Sequence, residues 1–119
     1  MLADYKFLKT ITVLGIGRVD IYLQVEEDDL EIDMYEEQDK KDIEKRLNRG
    51  DIWAWAFVQV LAMPENITEV FGTAAMGACS YDDEEQLLSC DCYSDMESLA
   101  IENLSDKLKD LKERLAQLE

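Results

Sequence analysis

The sequence predicts an α+β domain: an antiparallel sheet of about five strands with two main helices, the C-terminal one long. Three observations predict it. Apolar residues alternate with polar ones through Val19, Ile21, Leu23 and Val25, the period-two pattern of a half-buried strand. Residues 52–63, IWAWAFVQVLAM, are apolar at nearly every position, as in a central strand covered on both faces. Ile101, Leu104, Leu108, Leu111, Leu115 and Leu118 recur in alternating steps of three and four, the heptad seam of a long helix.

The 119 residues read as a single domain in four parts: an acidic β-meander over 1–38, a helix over 39–50, a central β-hairpin over 51–81 and a C-terminal helix over 94–119. Residues 7–14, FLKTITVL, are rich in β-branched side chains and form the first strand. Gly15-Ile16-Gly17 is a turn signal, and residues 19–25 return as the second strand. Residues 26–29 make a polar turn. Leu30, Ile32 and Met34 then alternate with Glu31, Asp33 and Tyr35, which predicts a third strand. Residues 39–49 predict a helix: Asp39 caps it, Ile43 and Leu47 face inward at i,i+4, and Gly50 ends it.

In the apolar run, Trp53, Trp55 and Phe57 point one way, and Ala54, Ala56, Val58 and Val60 the other. Pro64, the sole proline, opens a loop over 64–69. Residues 70–81, VFGTAAMGACSY, return as the paired strand, where the small Gly72, Ala74, Ala75 and Gly77 are expected to leave room for the indoles. The glycines also mark this strand as a place for a bulge. Residues 82–88 predict a short helical turn and 89–93 a loop. Ser94 and Glu97 fit the S-x-x-E capping box, so the last helix is expected to begin there. About 25 residues at about 1.5 Å each give a helix of roughly 38 Å, longer than so small a domain needs, and its end is expected to protrude.

Composition narrows the function. Apolar types make up 47% of the chain, enough for a core, so the formal charge of −16 does not signal a disordered acidic tail. That charge argues against direct binding of DNA, RNA or an anionic membrane, since like charge repels phosphate. It favours a basic partner. No apolar run reaches the ~18 residues of a membrane span, and the first residues lack the basic start and apolar run of an export signal. A cytoplasmic protein with Cys79, Cys90 and Cys92 as reduced thiols is expected.

The absence of histidine excludes Ser-His, Cys-His and His-metal sites. Cys90-x-Cys92 has the wrong spacing for a zinc pair, and the acids of 26–33 lack the order of an EF-hand loop. Gly15-Ile16-Gly17 lacks the third glycine of a dinucleotide loop. No catalytic residue, metal or cofactor is expected, and the chain reads as a non-enzyme.

What stands out is the segregation of charge. Residues 19–39 carry ten acids and no base, and residues 50–106 carry twelve acids and no base. A surface tuned for solubility intersperses both signs, whereas single-signed elements repel themselves. The bland reading is a solvated face, or the coat of a protein from a salt-loving organism; abundant Ile and Leu and clustered bases speak against the latter. The sharper reading is mimicry of a polynucleotide backbone. Alternate residues on a strand lie about 6.8 Å apart, and two base-pair steps along a DNA strand rise by the same amount. The candidate partner-binding acids are Glu26, Glu27, Asp28, Asp29, Glu31, Asp33, Glu36 and Glu37, with Asp82, Asp83, Glu84 and Glu85 as a second row if the fold brings them near.

Residues 46–58, RLNRGDIWAWAFV, then GACSY at 77–81 and YSDMESLAIEN at 93–103, carry a family likeness. Together they resemble small acidic proteins of bacteriophages and other mobile elements, which show R-L-x-x-G-D-x-W-A-W-A-x-V-x-V, G-x-C-S-Y and Y-x-D-M-x-x-x-A. The resemblance covers roughly residues 40–105; SCDCY stands where a glycine-rich link is usual. It implies a phage context and supplies no catalytic residue. In that context the expected function is an inhibitor of a host nucleic-acid-binding protein or nuclease, of the anti-CRISPR or anti-restriction type, acting in the host cytoplasm without touching nucleic acid or membrane itself. The rival is a structural or assembly module that dimerises, or binds a partner helix, through Leu108, Leu111, Leu115 and Leu118.

Overall fold

The computed structural model describes residues 5–28, 37–67 and 69–118. They form strands β1 (Lys6–Val13) and β2 (Gly17–Glu27), helix α1 (Glu37–Asn48), a 3₁₀ turn at Ile52–Ala54, strands β3 (Ala56–Pro64) and β4 (Gly72–Cys79), and helices α2 (Glu84–Leu88) and α3 (Asp91–Gln117). The fold is α+β. The described strands form one antiparallel sheet in the order β1-β2-β3-β4. The strand expected over 30–34 lies outside the described residues.

Period-two patterning sorts the sheet into two faces. Val19, Ile21 and Leu23 of β2 and Ala56, Val58, Val60 and Ala62 of β3 are buried in one cluster with Tyr93, Met96, Ala100 and Leu104 of α3. The opposite face carries Asp20, Tyr22, Gln24 and Glu26, paired across the ladder with Met63, Leu61, Gln59 and Phe57. The β1–β2 hairpin turns through Gly15 and Gly17, whose φ of +89° and +104° only glycine adopts cheaply.

α3 lies on the sheet at β4, and Gly72 makes the approach possible. A Cβ there would run into the Ala100 carbonyl oxygen and the Leu104 amide nitrogen, and would sit 2.8 Å from the Leu104 Cβ. Asn103 fastens the same spot, its Oδ1 accepting the Thr73 amide at 3.0 Å. Gly72 therefore makes room for the helix, not for an indole as expected. β4 is bulged where glycine suggested it: Val58 pairs with Met76 and Ala56 with Cys79, so the partner strand carries one extra residue.

Three expectations fail at element starts. α1 begins at Glu37, so Asp39 lies within its first turn and does not cap it. Residues 52–63 are not one strand. The Asp51 carboxylate accepts the Trp53 amide and caps a 3₁₀ turn, so β3 begins only at Ala56. Trp53, inside that turn, therefore leaves the row expected with Trp55 and Phe57. Trp53 borders the main core, while Trp55, 1% exposed, joins Ile43 and Ala54 in a separate cluster under α1. α3 begins at Asp91, one turn before the Ser94 capping box, with Cys90 at the N-cap. Tyr93 and Met96 extend the buried stripe of Ala100 and Leu104 toward the N-terminus, and burying them outweighs the box.

α1 ends as the sequence indicates. The Gly50 amide bonds to the Leu47 carbonyl and the Asp51 amide to the Arg46 carbonyl, with Gly50 at φ +85°: a Schellman cap. At the other end of the molecule α3 outruns the sheet. The longest dimension is 62 Å against 26 and 24 Å, and the radius of gyration is 17.2 Å. A compact chain of this length would have roughly 13.5 Å.

Candidate functional site

The topology delivers both acidic segments to one end of the sheet. β2 closes with Glu26 and Glu27 opposite Phe57 and Ala56, and the Asp28 amide donates to the Trp55 carbonyl at 3.0 Å. On the other side of β3, Cys79 pairs with Ala56 and the Tyr81 amide donates to the Trp53 carbonyl at 2.8 Å. Asp82, Asp83, Glu84 and Glu85 follow directly. The two segments thus leave the sheet on either side of the start of β3, about two strand spacings or roughly 10 Å apart. α3 also starts here, adding the exposed Asp91 and Asp95. Four bases, Lys107, Lys109, Lys112 and Arg114, sit toward the far end of that helix. α1, packed at this same end through Ile43 and Arg46, brings Lys40, Lys41, Lys45 and Arg49 with it, so the charge segregation of the sequence is carried into the fold only in part.

The individual carboxylates differ in what they can offer. Glu26 and Glu27 are exposed but lie in strand, not in the turn expected for 26–29, and the pleat sends them to opposite faces. With Asp28 and Phe57 they border a shallow depression. Glu37 is exposed in the first turn of α1. In the second row, Asp83 caps α2 by accepting the Gln86 amide at 2.9 Å, and Gln86 returns its Oε1 to the Asp82 amide at 2.6 Å. Glu84 pairs with Lys6 at 2.8 Å. Glu85 is exposed on α2. Asp29, Glu31, Asp33 and Glu36 lie outside the described residues, so the row expected along 31–37 is described only at Glu37.

Arg46, which the sequence reading passed over, ties this end together. Its Nε donates to Asp51 at 2.8 Å and its Nη2 to the Tyr81 carbonyl at 2.6 Å. One side chain thus fixes the end of α1, the cap of the 3₁₀ turn and the strand exit that presents Asp82. The sequence signal was an arginine five residues before an aspartate, across a glycine that lets the chain turn back.

The thiols gather at the same end, and none is in a disulfide. Burial, then the nearby Asp28 charge, push Cys79 up to about 11. Cys90 is different. Burial opposes its ionisation, but hydrogen bonding from the Tyr93 amide, the Tyr81 hydroxyl and the Cys92 amide wins and lowers its pKa; the Tyr81 oxygen is 3.8 Å from the sulfur. Cys92 is exposed, and the adjacent Cys90 charge raises it. Since the thiolate is the nucleophile, Cys90 is expected to alkylate first with iodoacetamide near neutral pH, ahead of the more exposed Cys92. Cys79 is expected to react only on unfolding, and Tyr81→Phe to slow Cys90. Peptide mapping of a time course checks the order; Cys92 reacting first would contradict this placement of Cys90.

Among the described residues no three cysteine or acidic side chains converge closely enough to hold a metal ion, and no helix is long and apolar enough to cross a membrane. No family model, no curated protein and no solved structure matches the chain.

Proposed function

We propose that this protein is a non-enzymatic acidic inhibitor of the kind phages and other mobile elements direct at host nucleases, CRISPR effectors or restriction systems. It occupies the nucleic-acid-binding surface of a basic host protein. One observation carries the reading: β2 and β4 bring two base-free acidic segments, far apart in sequence, to the same end of the sheet on either side of β3. Their separation of roughly 10 Å falls between the minor- and major-groove widths of B-DNA, about 6 and 12 Å, across which a DNA-binding protein meets two rows of phosphate. Like charges gathered at one end repel one another, a cost that a cationic partner offsets.

Glu26, Glu27 and Glu85 are exposed carboxylates with no capping role. The triple variant Glu26→Lys, Glu27→Lys, Glu85→Lys is expected to bind the partner about 100-fold more weakly, chiefly through a slower on-rate, with Tm equal or higher because self-repulsion falls. The assay is capture from a bacterial lysate fraction enriched on heparin. Wild-type capture should be displaced by heparin or duplex DNA and should fall steeply between about 50 and 200 mM salt. Capture that survives the triple change, or that DNA cannot displace, would remove the carboxylate surface from the interaction.

A further inference from the structure

We infer that the overhanging end of α3 pairs antiparallel with the same segment of a second copy of this chain. The heptad face of α3 is covered by the chain's own sheet through Leu104 and half covered at Leu108. Beyond that it is open: Leu111, Leu115 and Leu118 are 41%, 57% and 82% exposed, at the i, i+4, i+7 spacing of a helix-pairing seam. The hairpin tip stands beside it. Leu14 there is fully exposed and, with Ile16, Leu108 and Lys112, borders a depression on the flank of α3 where the overhang begins.

The occupant follows from sterics and charge. Because the sheet already fills the space over the seam before Leu108, a partner helix can reach Leu111–118 only from the far end, running the opposite way. A two-fold axis near Leu115 then sets Leu118 of each copy beside Leu111 and toward the hairpin-tip depression of the other, a self-complementary, closing contact. The overhang is also where two chains of net charge −16 repel least, since over residues 106–119 the bases Lys107, Lys109, Lys112 and Arg114 balance the acids Asp106, Asp110, Glu113 and Glu119. Antiparallel pairing carries the two acidic ends to opposite extremes of the assembly. The contact stands independently of what the carboxylates bind, and it makes the assembly bivalent.

The test is the molar mass of the full chain by light scattering from about 1 to 300 µM, with small-angle scattering at the top concentration. The mass is expected to rise from 13.7 kDa toward twice that value, and the longest dimension to approach twice 62 Å. Leu115→Asp should hold the chain at the monomer mass with an unchanged melting curve, since the residue lies beyond the packed body, and Leu14→Asp should weaken the dimer at least tenfold. Monomeric Leu115→Asp should keep the heparin-displaced capture, so the two proposals fail separately. A wild-type chain that stays monomeric throughout overturns the inference and leaves the seam to an unlike partner. A dimer indifferent to Leu115→Asp, or one no longer than a single chain, overturns it equally.

Discussion

Gly72→Val is expected to loosen α3 from the sheet and to cost about 3 kcal/mol or more of folding stability. The size follows from what the new side chain meets. Overpacking is mild when the obstacle is a flexible side chain that rotates away. Here it is the backbone of α3, the carbonyl of Ala100 and the amide of Leu104, and moving either means translating the helix. That translation would break the bond from the Thr73 amide to Asn103 and lift Ala100 and Leu104, both fully buried, from the core. Two smaller effects act the other way: a β-branched residue suits a strand, and replacing glycine lowers unfolded-chain entropy by about 0.4–1 kcal/mol equivalent. Neither matches the clash. Gly72→Ala should lose about 2 kcal/mol by the same mechanism. Ala75→Val, three residues on and on the exposed opposite face, should lose nothing and serves as the control for strand propensity. Urea midpoints for the three variants decide the matter. A Gly72→Ala protein as stable as wild type would show that helix and strand do not approach as closely as described. Against a typical total of about 5–15 kcal/mol, the valine change removes a large share.

How far the sequence could be read depended on whether its apolar residues carried phase. β2 was legible because burial on one side leaves Val19, Ile21 and Leu23 alternating with polar neighbours. The seam of α3 was legible for the same reason at period 3.5. Residues 52–63 carried no phase, since nearly every position is apolar, and the deciding signal was a polar one at the edge: Asp51 accepting the Trp53 amide. The start of α3 was misplaced because the Ser94 box is a local signal. The spacing of Tyr93, Met96, Ala100 and Leu104 reports tertiary burial, which is worth more. The site was half legible. Composition marked the acidic segments, but only the pairing of Glu27 and Cys79 with the same Ala56 shows that they meet. The pleat that separates Glu26 from Glu27, and the capping duty of Asp83, could not be read from charge alone. Much of the stretch from Arg46 to Ala56 has a structural account. Arg46 pairs with Asp51, Leu47 packs at Trp55, Gly50 reverses the chain, and Ala54, Trp55 and Ala56 are buried. Those residues build the bracket that holds the acidic end rather than the surface that a partner would touch.

That bracket supplies the second large expected effect. Trp55→Ala should remove about 3–5 kcal/mol of packing, and the loss should fall mainly on α1. The helix is held by a cluster separate from the main core, made of Ile43, Ala54 and Trp55 with Leu47 beside them, and Trp55 is its largest member. Emptying it leaves the contact between the sheet and α3 untouched, because Val58, Val60, Ala100 and Leu104 belong to the other cluster. Amide exchange across Glu37–Asn48 should therefore approach that of an unfolded segment, while the urea midpoint of β2, β3 and α3 shifts by less than the full loss. Arg46 would go with the helix and release the Tyr81 carbonyl, so the Asp82 to Glu85 segment would lose its tether with every carboxylate still present. Partner capture should then weaken without any change in net charge, through a faster off-rate, whereas the lysine reversals act on the on-rate. Trp55→Phe, which keeps most of the apolar volume, should restore both protection and capture. If α1 amides stay as protected in the alanine variant as in wild type, the small cluster is not what holds the helix. If α1 loosens and capture is unaffected, the bracket does not position the acidic surface.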